Sequence, residues 1–377
     1  MNPVVRLLRD LIALPSVNPA FAAGAGSLSG EHRVGDYLLA VGARAGLSVE
    51  RWPVTEGRSN VLIRLSPAGR VRHRVVMAPH MDTVTVEEPE QLEPRVKGGR
   101  VHGRGACDTK GSVATMFQAL VTVARGGGRR PGSTEIVLAA LVDEESGQAG
   151  SRSLVAGGFK ADLAIVGEPT LLTVVTAHKG DLWLSAETRG RAAHSSCPER
   201  GRNAIAEMAR VVSILEGEYA AGLRRRRHPL LGAATVNVGM IAGGRQPNIV
   251  PDRCEIRIDR RTLPGETDAG VTRGIRALLR SKGVSVRVAD WKGLPAVPLE
   301  TDPRLPLVRG LMTAAGQRRP AGVHYFSDAG VLSGGGIPSV VFGPGDIAQA
   351  HTRDEWVGVR QLERGVAVLT RFLEALP

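Results

Sequence analysis

The chain has 377 residues, 42% hydrophobic and 23% charged, which excludes wholesale disorder and makes two domains the default expectation. Aromatic residues are 3% of the chain, too few for a base-stacking surface. The net charge of +12 comes from arginines spread along the sequence with one dense cluster, Arg224 to His228, so a solvated basic surface is expected and nucleic acid is not.

The N-terminal stretch MNPVVRLLRDLIALPSVNP carries charges inside its apolar pattern. It reads as an amphipathic helix ended by proline, not as a signal peptide. No run reaches the roughly 18 apolar residues of a membrane span, so no membrane partner is expected. Asn60 to Leu65, His73 to Val84, Thr134 to Glu145 and Leu163 to Thr170 read as strands that run into polar ends. Ser112 to about Ala124 has helical spacing and stops in glycines. This order predicts an α/β unit with a mostly parallel sheet. From about Val174 the texture changes. Ala177 to Gly190 alternates like an antiparallel strand, and two more strands and two helices, Asn203 to Ala221 and Thr267 to Gly283, follow. After about Val297 the α/β texture returns. The expected organisation is one α/β domain from 1–174 and 293–377, with an α+β domain, 175–292, inserted into it. Three widely spaced cysteines, Cys107, Cys197 and Cys254, form no CxxC pair, which suits a reducing cytoplasm.

The acids and histidines fall at particular places. His80 and Asp82 follow one apolar run, two residues apart, and on a strand they would share a face. Asp108 sits in GRGACDTKG, a glycine-rich loop entering a helix; Glu144 and Glu145 end the next strand, and Glu168 ends the one after. In a parallel α/β sheet such strand ends gather along one edge, where ligands bind. Carboxylates crowded there repel one another, and cations relieve the repulsion. Histidine with Asp and Glu suits zinc or a similar divalent ion, and a carboxylate such as Asp108 can bridge two ions. Each residue also has a plainer reading. Asp82 fits a cap, Asp108 a helix N-cap, Glu144 and Glu145 a solvated turn, and His351 a surface loop. Their joint placement at successive strand ends favours the metal.

Taken together, PHMDTV, VHGRGACDTKGSVATM, VDEESG, VGEPT, AHSSCPERGRNAI, QPNIVPD, DRRTLPGE, SDAGVL and VFGPGDIAQAHTRDEWV resemble the acetylornithine deacetylase / succinyl-diaminopimelate desuccinylase family, in order and over nearly the whole chain. That family also holds aminoacylases, glutamate carboxypeptidases and dipeptidases. The resemblance implies a zinc-peptidase-like catalytic domain, an inserted dimerisation domain, and two divalent ions per chain, zinc or cobalt. It implies that His80 binds one ion and His351 the other, that Asp108 bridges them, and that Glu145 and Glu168 complete the sites. Glu144 would be the general base, taking a proton from the metal-held water, and Asp82 would orient His80. His194 would reach the active site of a partner subunit in a homodimer and help stabilise the oxyanion. Asn248 would contact substrate, and Arg261 would bind its α-carboxylate, provided that Arg261 and not Arg260 lies on the correct strand face. GEPT and GPGDIAQAHTRDEW look closer to the deacetylase branch, whose substrate is a small N-acyl amino acid. SDAGVL replaces that branch's TEA, so N-acetylornithine itself is not singled out as the substrate; a dipeptidase or glutamate-type carboxypeptidase using the same metals is the second expectation. A non-catalytic binding protein on the same scaffold would be expected to lose ligands or Glu144.

Overall fold

Four apolar runs form the centre of the main sheet. Strands Thr134–Ala140, His73–Ala78, Leu163–Val166 and Ser339–Val341 lie side by side in that order, all parallel. The computed structural model describes residues 2–21, 26–126, 129–291, 293–294 and 296–377. Two units divide the chain. One is Met1–Thr176, Glu300–Ala321 and Ser327–Pro377; the other is Ala177–Leu299 and Gly322–Phe326.

In the first unit the central strands are buried on both faces, which is why their sequences are nearly continuous aliphatic runs. Alternation sorts them. Val75, Met77, Ile136, Leu138, Leu163 and Ile165 enter one core together with helices Pro3–Ile12, Lys110–Ala124 and Val359–Glu374. The sheet is mixed at its edge. Strand Arg58–Leu65 pairs antiparallel with both Ser48–Thr55 and Thr134–Ala140. Gly57, at φ 70°, closes the hairpin between Thr55 and Arg58, and hairpin-joined strands are necessarily antiparallel. The helix read from Ser112 starts two residues earlier, at Lys110. Of its expected glycine ending, Gly127 and Gly128 lie outside the described residues.

Because the four central strands are parallel, their carboxyl ends share one edge. Pro79 to Asp82, Val142 to Glu145 and Gly167 to Pro169 all leave the sheet there. His80 and Leu141 continue the parallel pairing as an isolated bridge. A short three-stranded sheet, Arg95–Lys97, Arg100–His102 and Trp356–Gly358, joins the C-terminal segment to the loop that precedes Asp108.

The second unit is a four-stranded antiparallel sheet in the order Thr235–Gly243, Arg253–Thr262, Gly180–Arg189, Arg287–Asp290. Helices Ala204–Ile214 and Asp268–Ser281 cover one face, packing Met208, Val211, Ile275 and Leu279 on Leu184, Ala186, Ile256 and Ile258. The helix expected over residues 203–221 is interrupted by a π-helical turn, Leu215–Tyr219. Among the described residues no helix is long and apolar enough to cross a membrane.

Candidate active site

His80 and Asp82 do not share a face through strand pleating, because the strand stops at Ala78 and Pro79 intervenes. They meet by a local turn instead. The Nδ1 of His80 lies 2.9 Å from the backbone carbonyl of Asp82 and 3.5 Å from its Oδ1. That leaves Nε2 facing the other way, 3.1 Å from Asp108 Oδ1 and 3.8 Å from Glu168 Oε1. His80, Asp82, Asp108 and Glu168 are all buried.

Asp108 is not the helix cap that its position also allowed. Thr109 holds the N-cap position, and the Asp108 carboxylate turns to the histidines. Its second oxygen is 3.3 Å from His351 Nε2, and the same nitrogen is 3.1 Å from Glu145 Oε2. Asp108 therefore offers one oxygen to each imidazole. The loop that carries it is gripped by Glu355, a buried acid that sequence reasoning missed. Its Oε1 accepts the N–H groups of Cys107 and Asp108 at 2.8 and 2.9 Å, and its Oε2 accepts Gly105 N–H and Arg104 Nη1 at 3.0 and 2.8 Å. Glycine is needed in the loop: at Gly103, φ 145°, a Cβ would lie 2.5 Å from Ile12 Cγ2.

Asp82 also organises the glutamate pair. Its Oδ1 accepts the backbone N–H of Glu144 and its Oδ2 that of Glu145, each at 3.1 Å. Asp328, at the start of helix Asp328–Gly334, is 1% exposed and accepts Ser151 Oγ at 2.6 Å. Nothing local in SDAGVL announces that buried acid, and the motif stood out only through resemblance.

The electrostatics follow from the crowding. Burial works against a charged His80, but Asp108, Asp82 and Glu168 outweigh it and hold its pKa well above the ordinary histidine value. Hydrogen bonds from its ring to Asp108 and Glu145 push His351 up to about 10. Burial, reinforced by Glu168, raises Glu144 well above the carboxylate range. Burial and the neighbouring Asp108 raise Glu145 to about 7, and burial with Asp108, Asp328 and Glu145 raises Glu168. Burial opposes the ionised form of Asp108, yet His351 and His80 hold it below the usual range. So the cluster is short of positive charge.

The donor set fits divalent cations. Glu145 Oε1 and Glu168 Oε1 are buried and accept no hydrogen bond from any described group, an arrangement that is costly unless a cation faces them. Ligand atoms of His80, Asp108 and Glu145, and separately of His80, Glu144 and Glu168, lie within 4.8 Å of one another. The first grouping holds three of the five residues expected as ligands; the second joins two of them to Glu144, the residue expected as the base.

The other three expected residues belong to the second unit. Strand Arg253–Thr262 alternates strictly, with Arg260 inward and Arg261 outward. Arg260 is fully buried, its guanidinium on Glu266 at 2.6 Å and on Tyr219 Oη at 3.1 Å. Arg261 lies on the helix-free face, bonded to Asp259 at 3.0 Å and 3.6 Å from Asp181. The register thus separates the two arginines, with Arg261 the more accessible. His194 and Asn248 are brought side by side: Ser195 N–H donates to Asn248 O at 3.0 Å, and His194 bridges Ile249. Both side chains are exposed, and His194 Nδ1 sits 2.8 Å from Ser196 Oγ.

A parallel-sheet edge that gathers two histidines and four carboxylates around unsatisfied oxygens defines a metallohydrolase-type centre. Residues 76–375 match Peptidase family M20/M25/M40, and the chain belongs to that family of metal-dependent peptidases and deacylases. It is 33% identical over 352 residues to an acetylornithine deacetylase of Myxococcus xanthus, covering 89% of this chain and 90% of that one. Against an acetylornithine deacetylase of Edwardsiella ictaluri it is 30% identical, covering 98% and 96%. Among solved structures the aminopeptidase PepT of Bacillus cereus superposes with a TM-score of 0.80 at 21% identity, covering 99% and 97%. A metallo-carboxypeptidase of Sulfolobus solfataricus superposes at 0.77 and 18%, covering 99% of each. These two likenesses bear on the fold.

Proposed function

We propose that the protein is a two-metal amidohydrolase that removes the acyl group from an N-acyl amino acid, in the manner of an acetylornithine deacetylase. The observation that carries this is Asp108 set between His80 and His351, one oxygen toward each, beside buried glutamate oxygens with no partner. His80, Asp108, Glu145, Glu168 and His351 would hold two divalent ions, zinc or cobalt. When bound, the ions would polarise the amide carbonyl and acidify the attacking water. Glu144 takes the proton as the water oxygen bonds to the carbonyl carbon, then delivers it to the nitrogen as the C–N bond breaks. Asp82 keeps the His80 ring in one orientation. Arg261 receives the α-carboxylate of the amino acid, and Asn248 contacts the substrate.

A second reading is supported by one departure. Asp328, buried and electrically coupled to Glu144 and Glu168, lies in SDAGVL where the deacetylase branch has TEA. This favours a dipeptidase or carboxypeptidase with the same ions. The test is a hydrolysis screen. Chelated protein is reloaded with Zn²⁺ or Co²⁺ and offered N-acetyl, N-succinyl and N-formyl amino acids beside dipeptides, with free amine as the readout. Metal-dependent release from an N-acyl amino acid supports deacylation. Release from dipeptides alone moves the enzyme to the peptidase reading, and the absence of bound metal refutes both.

We further propose a cytoplasmic homodimer. The three cysteines are free. Strand Thr235–Gly243 is a sheet edge, and Met240 and Ile241 on it are 61% and 59% exposed; an open apolar edge invites pairing with a second copy. If His194 acts in the partner's site, His194→Ala and Glu144→Gln chains are each inactive but complement when refolded together. Activity should return to about a quarter of wild type, the statistical share of competent sites in mixed dimers. No recovery despite mixed-dimer formation counts against the trans role.

A further inference from the structure

Asn18 lies in PSVNP, a stretch read above only as the end of the first helix. Its side chain is fully buried. The amide nitrogen donates to Asp82 Oδ2 at 2.7 Å and to Asp143 Oδ1 at 3.1 Å. The amide oxygen accepts Ala20 N–H at 2.9 Å, and the backbone N–H of Asn18 donates to Thr83 O at 2.9 Å. Both amide hydrogens are thus committed to two different carboxylates, and the side chain itself is held from both directions.

Those two carboxylates shape the turn that carries Glu144. Asp82 accepts the N–H groups of Glu144 and Glu145 and faces His80. Asp143 precedes Glu144 with φ 69°, a left-handed conformation that is uncommon outside glycine and needs support from its surroundings. That support is present. Asp143 Oδ1 also accepts Arg58 Nη1 at 3.0 Å, Oδ2 accepts Ala149 N–H at 3.3 Å, and Asp143 N–H donates to Glu31 Oε1 at 3.3 Å. Glu31 in turn accepts Arg58 Nε at 3.1 Å. Asn18 is the link between this frame and Asp82. A primary amide suits the place because it is neutral and offers two hydrogens. An aspartate would set a third carboxylate against two, and a serine would serve one carboxylate and abandon the other.

We infer that Asn18 is a positioning residue for the catalytic turn. By bridging Asp82 and Asp143, it fixes where the His80 ring and the Glu144 carboxylate stand. It acts through these groups and touches neither substrate nor ion. The inference rests on the proposed function, and it concerns a residue that the ligand set does not include.

The test compares Asn18→Ser, Asn18→Ala and Asn18→Asp with wild type, with near-UV circular dichroism and thermal melting establishing which variants fold. Two readouts follow: kcat and KM on the substrate found by the screen, and a Co²⁺ titration followed by visible absorption. Folded Asn18→Ser is expected to lose about 10- to 100-fold in kcat or metal affinity, the range for groups that orient ligands, with KM unchanged and an altered cobalt spectrum. Asn18→Asp is expected to be worse than Asn18→Ser. A purely structural role lowers the melting temperature and leaves kcat per folded molecule and the cobalt spectrum as in wild type; that result in the serine variant overturns the inference. Wild-type protein that binds no Co²⁺ overturns the proposed function and this inference with it, an outcome visible before any variant is made.

Discussion

Glu144→Gln is expected to cut turnover by about 10³-fold, within the ~10²–10⁴ range for loss of a general acid–base group, while two metal ions stay bound. Glu145→Gln is expected to lose metal. The two residues are neighbours, and both backbone N–H groups are held by Asp82, so the variants disturb the turn equally and differ only in the carboxylate removed. Glu145 faces His351 at 3.1 Å, in the ligand array around Asp108. Glu144 groups instead with His80 and Glu168, whereas His351 pairs with Asp108 and Glu145. Metal content by atomic emission and single-turnover rates separate the alternatives. If Glu144→Gln loses an ion as readily as Glu145→Gln, Glu144 is a ligand, and the base must be sought elsewhere.

Loading the metal-free protein at pH 7 is expected to release at least two protons per chain. His351, at about 10, and His80, held well above its ordinary value, both carry protons in the metal-free state. Imidazolium cannot ligate, so each must give up its proton. Glu145, at about 7, adds a further fraction. The sign is fixed by the direction of these shifts. A raised pKa strengthens the proton as a competitor, so apparent metal affinity falls as pH drops and climbs as pH rises toward the folded-state pKa of His351. For each histidine the climb is about tenfold per pH unit while pH stays below its pKa. Calorimetric titrations in two buffers of different ionisation enthalpy count the protons directly. Release of fewer than one would mean that the histidines are already neutral and that the carboxylates around them are paired in another way.

The parallel centre of the sheet was legible because strands buried on both faces must be written as aliphatic runs, and the acids and histidine beyond each run stood out against them. Edge elements were not. Ser48–Thr55 is mostly exposed and contains Pro53, so it carries neither pattern, and without it the antiparallel hairpin to Arg58–Leu65 had no signal. The expected ligands could be named because resemblance added to their position. His80 and Asp82 were found by a spacing argument whose geometry proved different: the turn after Pro79, not the pleat, brings them together. The groups that hold this cluster in place were invisible. Asn18 follows an apolar valine in the segment after the first helix, and Glu355 sits in a run of charged residues, TRDEW, like any solvated loop. Their partners are remote in sequence, and no local periodicity records such a contact.

The grip of Glu355 on the Asp108 loop bears on how the protein is made. The N–H of Asp108 and the carboxylate that receives it are 247 positions apart, and His351 arrives with the same segment. Closing a loop of that length costs entropy before the contact repays it, so such contacts slow folding. During synthesis the N-terminal parts emerge earliest, so His80, Asp108, Glu145 and Glu168 are all exposed to the cell before the last pieces of the centre exist. With the ligand set proposed above, the cation site is incomplete until the segment carrying His351 and Glu355 docks. A chain cut short before that segment leaves the Asp108 loop without the Glu355 carboxylate that receives its N–H groups.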